Sequence, residues 1–264
     1  MLLGLGRLQV LYLADPEIVS DLLNAKTALK DKHRFVRDLF VDLLGDSFLF
    51  AKADQAWKAK RKAVSPGFYK DKLRDIFQVM KDKTNERVLA WTDSIQKNGP
   101  LRLVLSTEIK HIYASIMFVT LFGEDISLTP VELVRDDGSV YELPLHESLS
   151  VIGKPILSLA RNPIRLCTGY FDTWRMGATE KRIRKNCQTI RALVRQKVKD
   201  RRAGRRRDDI MQLLIDDDTI FNTNDELIVD QILDLIMAGA STVQLTSLGM
   251  LHHISRLPEV RTRV

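Results

Sequence analysis

Two short stretches of this chain hold residue types that could do chemistry. In "WKAKR", Trp57 and Arg61 stand four residues apart and share a face if the segment is helical. An indole N–H and a planar guanidinium offer only donors, which suits a carboxylate held in a partly buried site. The same pair would also serve as a packed tryptophan with an arginine reaching along it to water. In "LIMAGASTVQLTS", residues 235–247, Ala238 and Gly239 interrupt an apolar run, and Ser241 and Thr242 follow closely. Glycine in a helix interior costs about 1 kcal/mol against alanine, and a buried hydroxyl needs a partner. Ala238 and Gly239 leave bare backbone on which something flat could lie. Thr242 can return its hydroxyl to the Ala238 carbonyl and bend or open the helix there. From that place a hydroxyl could pass protons to a small bound molecule. The alternative is a small-residue contact between crossing helices, with Thr242 satisfied by its own backbone.

The elements that must position these residues are mostly helical. "LQVLYLA" (8–14) suits a strand. Asp15, Pro16 and Glu17 then open a helix with a cap, a first-turn proline and an acid at the positive end. "QAWKAKRKAVSPGF" (55–68) reads as a helix until Ser65-Pro66. The next runs from Lys70 to Lys97, with Leu73, Ile76, Phe77, Met80, Val88, Leu89 and Trp91 on an apolar face. "KNGP" stops it. Residues 106–125 give another apolar helix, and Asp137-Gly138 predicts a hairpin. A basic helix over 179–202 and a short one over 208–215 lead to the last element. There Thr223 or Asn224 can cap, and nothing breaks the pattern before Pro258. That is a helix of about 32 residues and about 48 Å. Apolar residues on nearly all its faces predict a path through a core.

With 264 residues, 45% of them hydrophobic, the chain can bury a sizeable core. A net charge of +7 and a pI near 9.4 favour an acidic partner, an anionic membrane face or an anionic ligand. Much of the excess lies in "KVKDRRAGRRRDD" (197–209), which reads as a solvated loop. No zinc-finger spacing or aromatic RNA-binding signature accompanies it. Cys167 and Cys187 are too few for a disulfide framework and read as packed thiols. The five histidines form no His-Glu-x-x-His arrangement, and no metal site is expected within the chain. No apolar run approaches the roughly 20 residues that span a bilayer. The opening "MLLGLGRLQVLYLADPE" is too short and broken for a signal peptide, so the chain is expected to begin inside a folded domain.

Taken together, the two stretches resemble the cytochrome P-450 family of haem-thiolate monooxygenases. The family carries Ala/Gly-Gly-x-Asp/Glu-Thr in a long central helix, matched here by Ala238-Gly239-Ala240-Ser241-Thr242. It carries Trp-x-x-x-Arg on an earlier helix, matched by residues 57–61. "LLGDSFLFAKADQAWKAKRKAVSPGF" is similar to the segment around that helix, and "LPEV" (257–260) to the start of the helix after the central one. The resemblance spans nearly the whole chain and is strongest at 44–77 and 208–260. It implies that Trp57 and Arg61 hold a haem propionate. Ala238 and Gly239 would lie against the porphyrin, and Thr242 would deliver protons for breaking the dioxygen bond. It also implies O₂ activation at a thiolate-ligated haem iron.

Two departures bear on this. Ser241 replaces the family's acid, and a serine relays protons only through water. The chain ends at Val264, before the place of the family's Glu-x-x-Arg helix and cysteine loop. "ELVR" (132–135) matches the former by letter only, and Cys167 and Cys187 lack the glycines of the latter.

The expectation is a mainly α fold with minor β, cytochrome P-450-like and truncated after the long central helix, with 1–264 as a single incomplete domain. Thr242 and Ser241 are the catalytic candidates; Trp57, Arg61, Ala238 and Gly239 are the cofactor-binding ones. Haem belongs to the complete protein and is not expected to be held stably by this fragment, which should be inactive alone. The partners implied are a small organic substrate, O₂, an NADPH-dependent reductase or other redox partner, and a peripheral membrane contact, without nucleic acid. A complete eukaryotic form would be intracellular and associated with the endoplasmic reticulum membrane. The competing reading is a non-enzymatic basic helical protein that binds an anionic surface or nucleic acid.

Overall fold

Capping residues set the first helix boundaries. The Asp15 carboxylate accepts from the backbone N–H groups of Glu17 and Ile18 at 2.9 and 3.3 Å, which starts α1 (Pro16–Asn24). A computed structural model gives the fold and describes residues 2–5, 8–25, 31, 34–159, 177–204 and 206–261. Ahead of α1, β1 (Leu2–Leu5) and β2 (Leu8–Leu11) pair antiparallel with Leu2 opposite Leu11, so the expected strand acquires a partner. Then follow α2 (Arg34–Leu44), α3 (Gln55–Val64) and a tight 3₁₀ turn over Ser65–Phe68. The long α4 (Lys70–Asn98) and α5 (Leu105–Phe122) come next. The predicted hairpin forms as β3 (Pro130–Val134) and β4 (Val140–Pro144). Gly138 takes φ +83° in its turn, a conformation that side-chain-bearing residues avoid. The "ELVR" stretch lies in and just after β3, with Glu132 opposite Glu142. α6 (Leu145–Leu159), α7 (Ala178–Ala203), α8 (Ile210–Asp216), α9 (Asp225–Arg256) and the short α10 (Pro258–Arg261) complete the described chain.

The fold is mainly α with minor β, as the sequence predicts, and α9 organises it. Ile228, Val229, Ile232, Leu233 and Ile236 are buried on its first half. They join a cluster with Phe118, Leu121 and Phe122 of α5, Ile190, Val194 and Val198 of α7, and Leu43 and Leu44 of α2. Each such side chain contributes about 1.5–3 kcal/mol when fully withdrawn from water. By length and composition α9 also meets the criterion for a bilayer-crossing helix, with mean hydropathy 1.3. Its first half is a core helix here.

Three expectations need correction. First, α9 does not run through a core along its whole length. Beyond Met237 its residues are half-buried or exposed, and Leu245 stands 69% exposed. Second, the expected apolar face of α4 is only partly covered. Ile76, Met80 and Trp91 are half-buried while Leu73, Phe77, Val88 and Leu89 are exposed. Glu108 of α5 holds this helix by accepting from the Arg87 guanidinium at 2.6 Å and the Trp91 indole at 2.9 Å. Third, residues 197–209 are a solvated loop only in part: residues 204 and 206–208 are exposed and non-helical, but the first half is helix. α7 continues to Ala203, and the Arg201 guanidinium is buried against the Asp209 carboxylate at 2.6 Å while also donating to the Phe122 carbonyl at 2.7 Å. Arg202 pairs with Asp225, Arg206 with Asp216, and Arg207 and Lys197 with Glu124. These five side chains link the ends of α5, α7, α8 and α9.

Candidate functional site

The site begins with α3. Asp54 caps this helix by accepting from the Trp57 backbone N–H at 2.9 Å, and Arg61 and Lys62 fill its last turn, at the negative end of the helix. Trp57 and Arg61 share a face as expected. The guanidinium carbon lies 5.3 Å from the centroid of the indole ring, within reach of a cation–π attraction. The indole N–H, however, is already used: it donates to the Phe48 carbonyl at 3.0 Å. Trp57 therefore fixes the place of Arg61, and the exposed guanidinium of Arg61 is the donor left open.

The Phe48 carbonyl belongs to a turn that the sequence did not single out. Gly45 enters this turn at φ +54°, and a Cβ there would overlap the Asp230 carboxylate. The Asp46 backbone N–H donates to Asp230 at 2.7 Å, that of Phe48 to Gln231 at 3.4 Å, and that of Leu49 to Asp234 at 3.2 Å. Lys60 of α3 is buried beneath the same turn and donates to the Asp46 carbonyl at 2.6 Å and its carboxylate at 2.5 Å. Thus α3 is tied to the first half of α9 through residues 46–49. Asp234 lies one helical turn, about 6 Å, before Ala238. Among the described residues no hydrogen bond or ion pair joins the two motifs directly; the turn fixes them to one body. The only sequence signal for this tie was polar Asp230, Gln231 and Asp234 inside an otherwise apolar run.

Charge anchors the same end of α9. Arg191 of α7 meets Glu226 at 2.9 Å and Asp230 at 2.7 Å and donates to the Leu43 carbonyl at 3.1 Å. The Arg195 guanidinium, hydrogen-bonded to Glu226 and assisted by Arg191, holds the Glu226 carboxyl down at about 2 despite partial burial. Burial pushes the Asp230 carboxyl the other way, above the usual range, with Arg191 opposing.

Four residues of the central motif take different directions. The Thr242 hydroxyl donates to the Ala238 carbonyl at 2.6 Å, the bond expected from the spacing. Ala238 and Thr242 are both exposed. Gly239 instead faces α5: a Cβ there would stand 2.6 Å from the Met117 sulfur, so its bareness admits a helix–helix contact. Nearby, Tyr113 and Ser247 hydroxyls meet at 2.7 Å and the Gln244 amide donates to the Ser106 carbonyl at 3.0 Å. Ser241 donates to the Met237 carbonyl at 3.1 Å and lines a cavity between α5, α6 and α9. The contact between crossing helices is seen at Gly239, and the Thr242 hydroxyl is satisfied by its own backbone.

Of the two cysteines, Cys187 is buried in α7, where loss of hydration pushes its thiol up to about 12. It is an inert packed thiol. Cys167 lies outside the described residues. Among the described residues no cluster of histidine, cysteine and acidic side chains could hold a metal ion.

The cytochrome P450 family model matches residues 1–264. Cytochrome P450 714B1 of Oryza sativa subsp. japonica is 26% identical over 122 residues, covering 46% of this chain and 23% of its own length. Cytochrome P450 734A1 of Arabidopsis thaliana is 25% identical over 113 residues, covering 43% and 21%. Among solved structures, a cytochrome P450 designated CYP102L1 superposes with a TM-score of 0.74 at 17% identity, over 99% of this chain and 54% of its own. The cytochrome P450DA heme domain gives 0.78 at 16%, with the same coverage. The chain thus spans about half the length of the solved P450 folds it matches, and the aligned stretch less than a quarter of these curated relatives. With the two motifs in their order and on one packed body, the chain belongs to the cytochrome P450 family.

Proposed function

We propose that this chain is one incomplete domain of a haem-dependent monooxygenase, carrying the wall on which the cofactor rests and one of its propionate anchors. The observation that carries the proposal is the Thr242–Ala238 hydrogen bond on an exposed face of α9, turned away from the Gly239–Met117 contact. The residues fit the group in part. Ala238 and the backbone at Gly239 offer a low wall. Arg61 offers a guanidinium with no ion pair among the described residues, held in place by the indole of Trp57. In this reading Trp57 orients the anchor, since its own N–H is satisfied by Phe48.

Bound haem would supply O₂ activation and one-electron chemistry. The chain's own groups would do the rest. Arg61 neutralises and grips a propionate. Thr242 donates its hydroxyl to the Ala238 carbonyl; to pass a proton on, it would accept one from water and turn its own away from that carbonyl. Ser241, bonded to Met237, could join that relay only through water, because it carries no charge to give. A small organic substrate would share the open face. Cys187 is sealed and cannot serve as the thiolate; the 264-residue chain by itself is proposed to hold haem weakly and to turn nothing over.

Lys58 and Lys62 are exposed on α3 beside Arg61, without ion pairs among the described residues. They suit an acidic redox partner such as an NADPH-dependent reductase. Charge reversal at both should slow electron transfer in a completed protein in a salt-dependent way. An intracellular place at the endoplasmic reticulum membrane in a eukaryotic host is part of the same proposal. The competing reading, a basic protein for nucleic acid or an anionic surface, is weakened where Arg201 is buried on Asp209 and Arg202, Arg206 and Arg207 are paired with acids at the surface.

The test is a haem titration read at the Soret band, on this chain and on a protein completed with the remaining half of a P450 fold. The completed protein should show a thiolate-type shift with carbon monoxide when reduced. Arg61→Ala should lower its haem retention about tenfold or more, the loss of a charge-assisted pair of about 1.5–3 kcal/mol. Thr242→Val should spare haem binding and divert O₂ reduction to peroxide. A completed protein that leaves the haem spectrum unchanged would overturn the proposal.

A further inference from the structure

α9 presents a second site on the face next to Thr242. There α5, α6 and α9 form a half-open cleft of about 250 Å³, somewhat below the ~300–1,000 Å³ of pockets for drug-sized ligands. Its walls are apolar: Phe118 of α5, Leu149 of α6, and Ile236 and Met237 of α9. Gly153 of α6 lies on the lining, where a Cβ would make an ordinary contact at 3.6 Å from the Met237 methyl and a larger side chain would enter the slot. Two cations stand on this lining, Lys110 of α5 and Lys154 of α6. Neither has a hydrogen bond or an ion pair among the described residues. Ser241 and Gln244 add polar groups from α9. Ala238 and Thr242 are not part of the lining, so this cavity is separate from the proposed haem wall.

The charges explain the kind of ligand. Lys110 is half-buried, and burial holds its amine below the usual lysine range, with Lys154 adding repulsion and Glu147 opposing. Lys154 is exposed and stays hydrated, so the cost falls on the half-buried Lys110, and an anion seated beside it would relieve that cost. Inorganic anions would satisfy the lysines and leave the slot empty; a neutral hydrocarbon would fill the slot and leave the lysines unpaired. We propose that the α5–α6–α9 cavity binds a small amphiphilic carboxylate, its chain between Phe118, Leu149 and Met237 and its head on Lys110 and Lys154. This site does not rest on the haem reading.

Isothermal titration of the 264-residue chain with octanoate, octanol and inorganic phosphate tests it. Octanoate should bind saturably at one site, octanol at least tenfold more weakly, and phosphate without saturation. Lys110→Met and Lys154→Met should each weaken octanoate at least fivefold and leave octanol unchanged, while Lys154→Arg retains binding. Gly153→Leu should fill the slot and abolish the octanoate site, with circular dichroism confirming an unchanged fold. Equal affinity for octanoate and octanol would overturn the proposal, as would lysine variants that bind octanoate like the native chain. Octanoate binding that survives Gly153→Leu would place the ligand elsewhere and overturn it too.

Discussion

Gly45 and Arg201 show how much of this molecule rests on single non-local fits. Gly45 combines φ +54° with direct contact between its backbone and the Asp230 carboxylate. Gly45→Ala would strain the backbone and push the 46–49 turn off α9. We expect a loss of about 1–3 kcal/mol in urea unfolding, and a red-shifted Trp57 fluorescence as the Phe48 carbonyl moves. Unchanged stability would mean that the turn is not held by α9. Arg201 poses a different problem, because its side chain and that of Asp209 are 6% and 2% exposed. Arg201→Met alone leaves a buried carboxylate without its cation and should cost about 3–5 kcal/mol. Adding Asp209→Leu should restore much of this, since removing both charges also removes both desolvation costs. A double variant as weak as the single one would show that the hydrogen bonds to Phe122 and Gln212, and not the charge pair, matter most.

At the scale of the element, α9 is held at its start by charge and along its first half by apolar packing. Glu226 contributes stability in full above its ordinary value of 4.5, and that contribution is lost as pH falls toward about 2. Asp230 has the opposite sign: its carboxyl is pushed up by burial, so acid relieves a cost that the fold carries at neutral pH. The ion-paired Glu226 should dominate the acid response in that window. Glu226→Gln should be less stable than the native chain at pH 7 and should lose less between about pH 4.5 and 2, in unfolding free energies measured across that range. A variant with the native pH profile would assign the acid response elsewhere. The boundaries of α9 were legible in the sequence because its cap is local: Asn224 accepts from the Glu226 and Leu227 backbone N–H groups. The Thr242–Ala238 bond was legible for the same reason. The acceptor of the Trp57 indole was not, because Phe48 reaches it through a turn ordered by Gln231 and Asp234 from the other end of the chain. Nor was the burial of Arg201 visible, since a charge run announces its composition and not its partners.

Across the whole molecule, the apolar surface is unevenly covered. The core gathers around the first half of α9, while Val243, Leu245 and Met250 on the second half and Phe77 and Leu89 on α4 remain exposed. An apolar periodicity records that a face was built to be covered; it carries no information about what covers it. That is why the sequence predicted a path through a core for α9 and an apolar face for α4, and why the structure covers only part of each. Large exposed apolar patches drive association. The 264-residue chain should therefore bind an environment-sensitive apolar dye strongly and self-associate with rising concentration. Leu245→Gln with Met250→Gln should reduce dye fluorescence severalfold and shift sedimentation toward the monomer. The melting temperature should hardly move, because these side chains stand 69% and 60% exposed and surface changes of this kind lie within about 0.5 kcal/mol. If dye binding persists while the melting temperature falls sharply, those residues are packed in solution and the second half of α9 is not an open face.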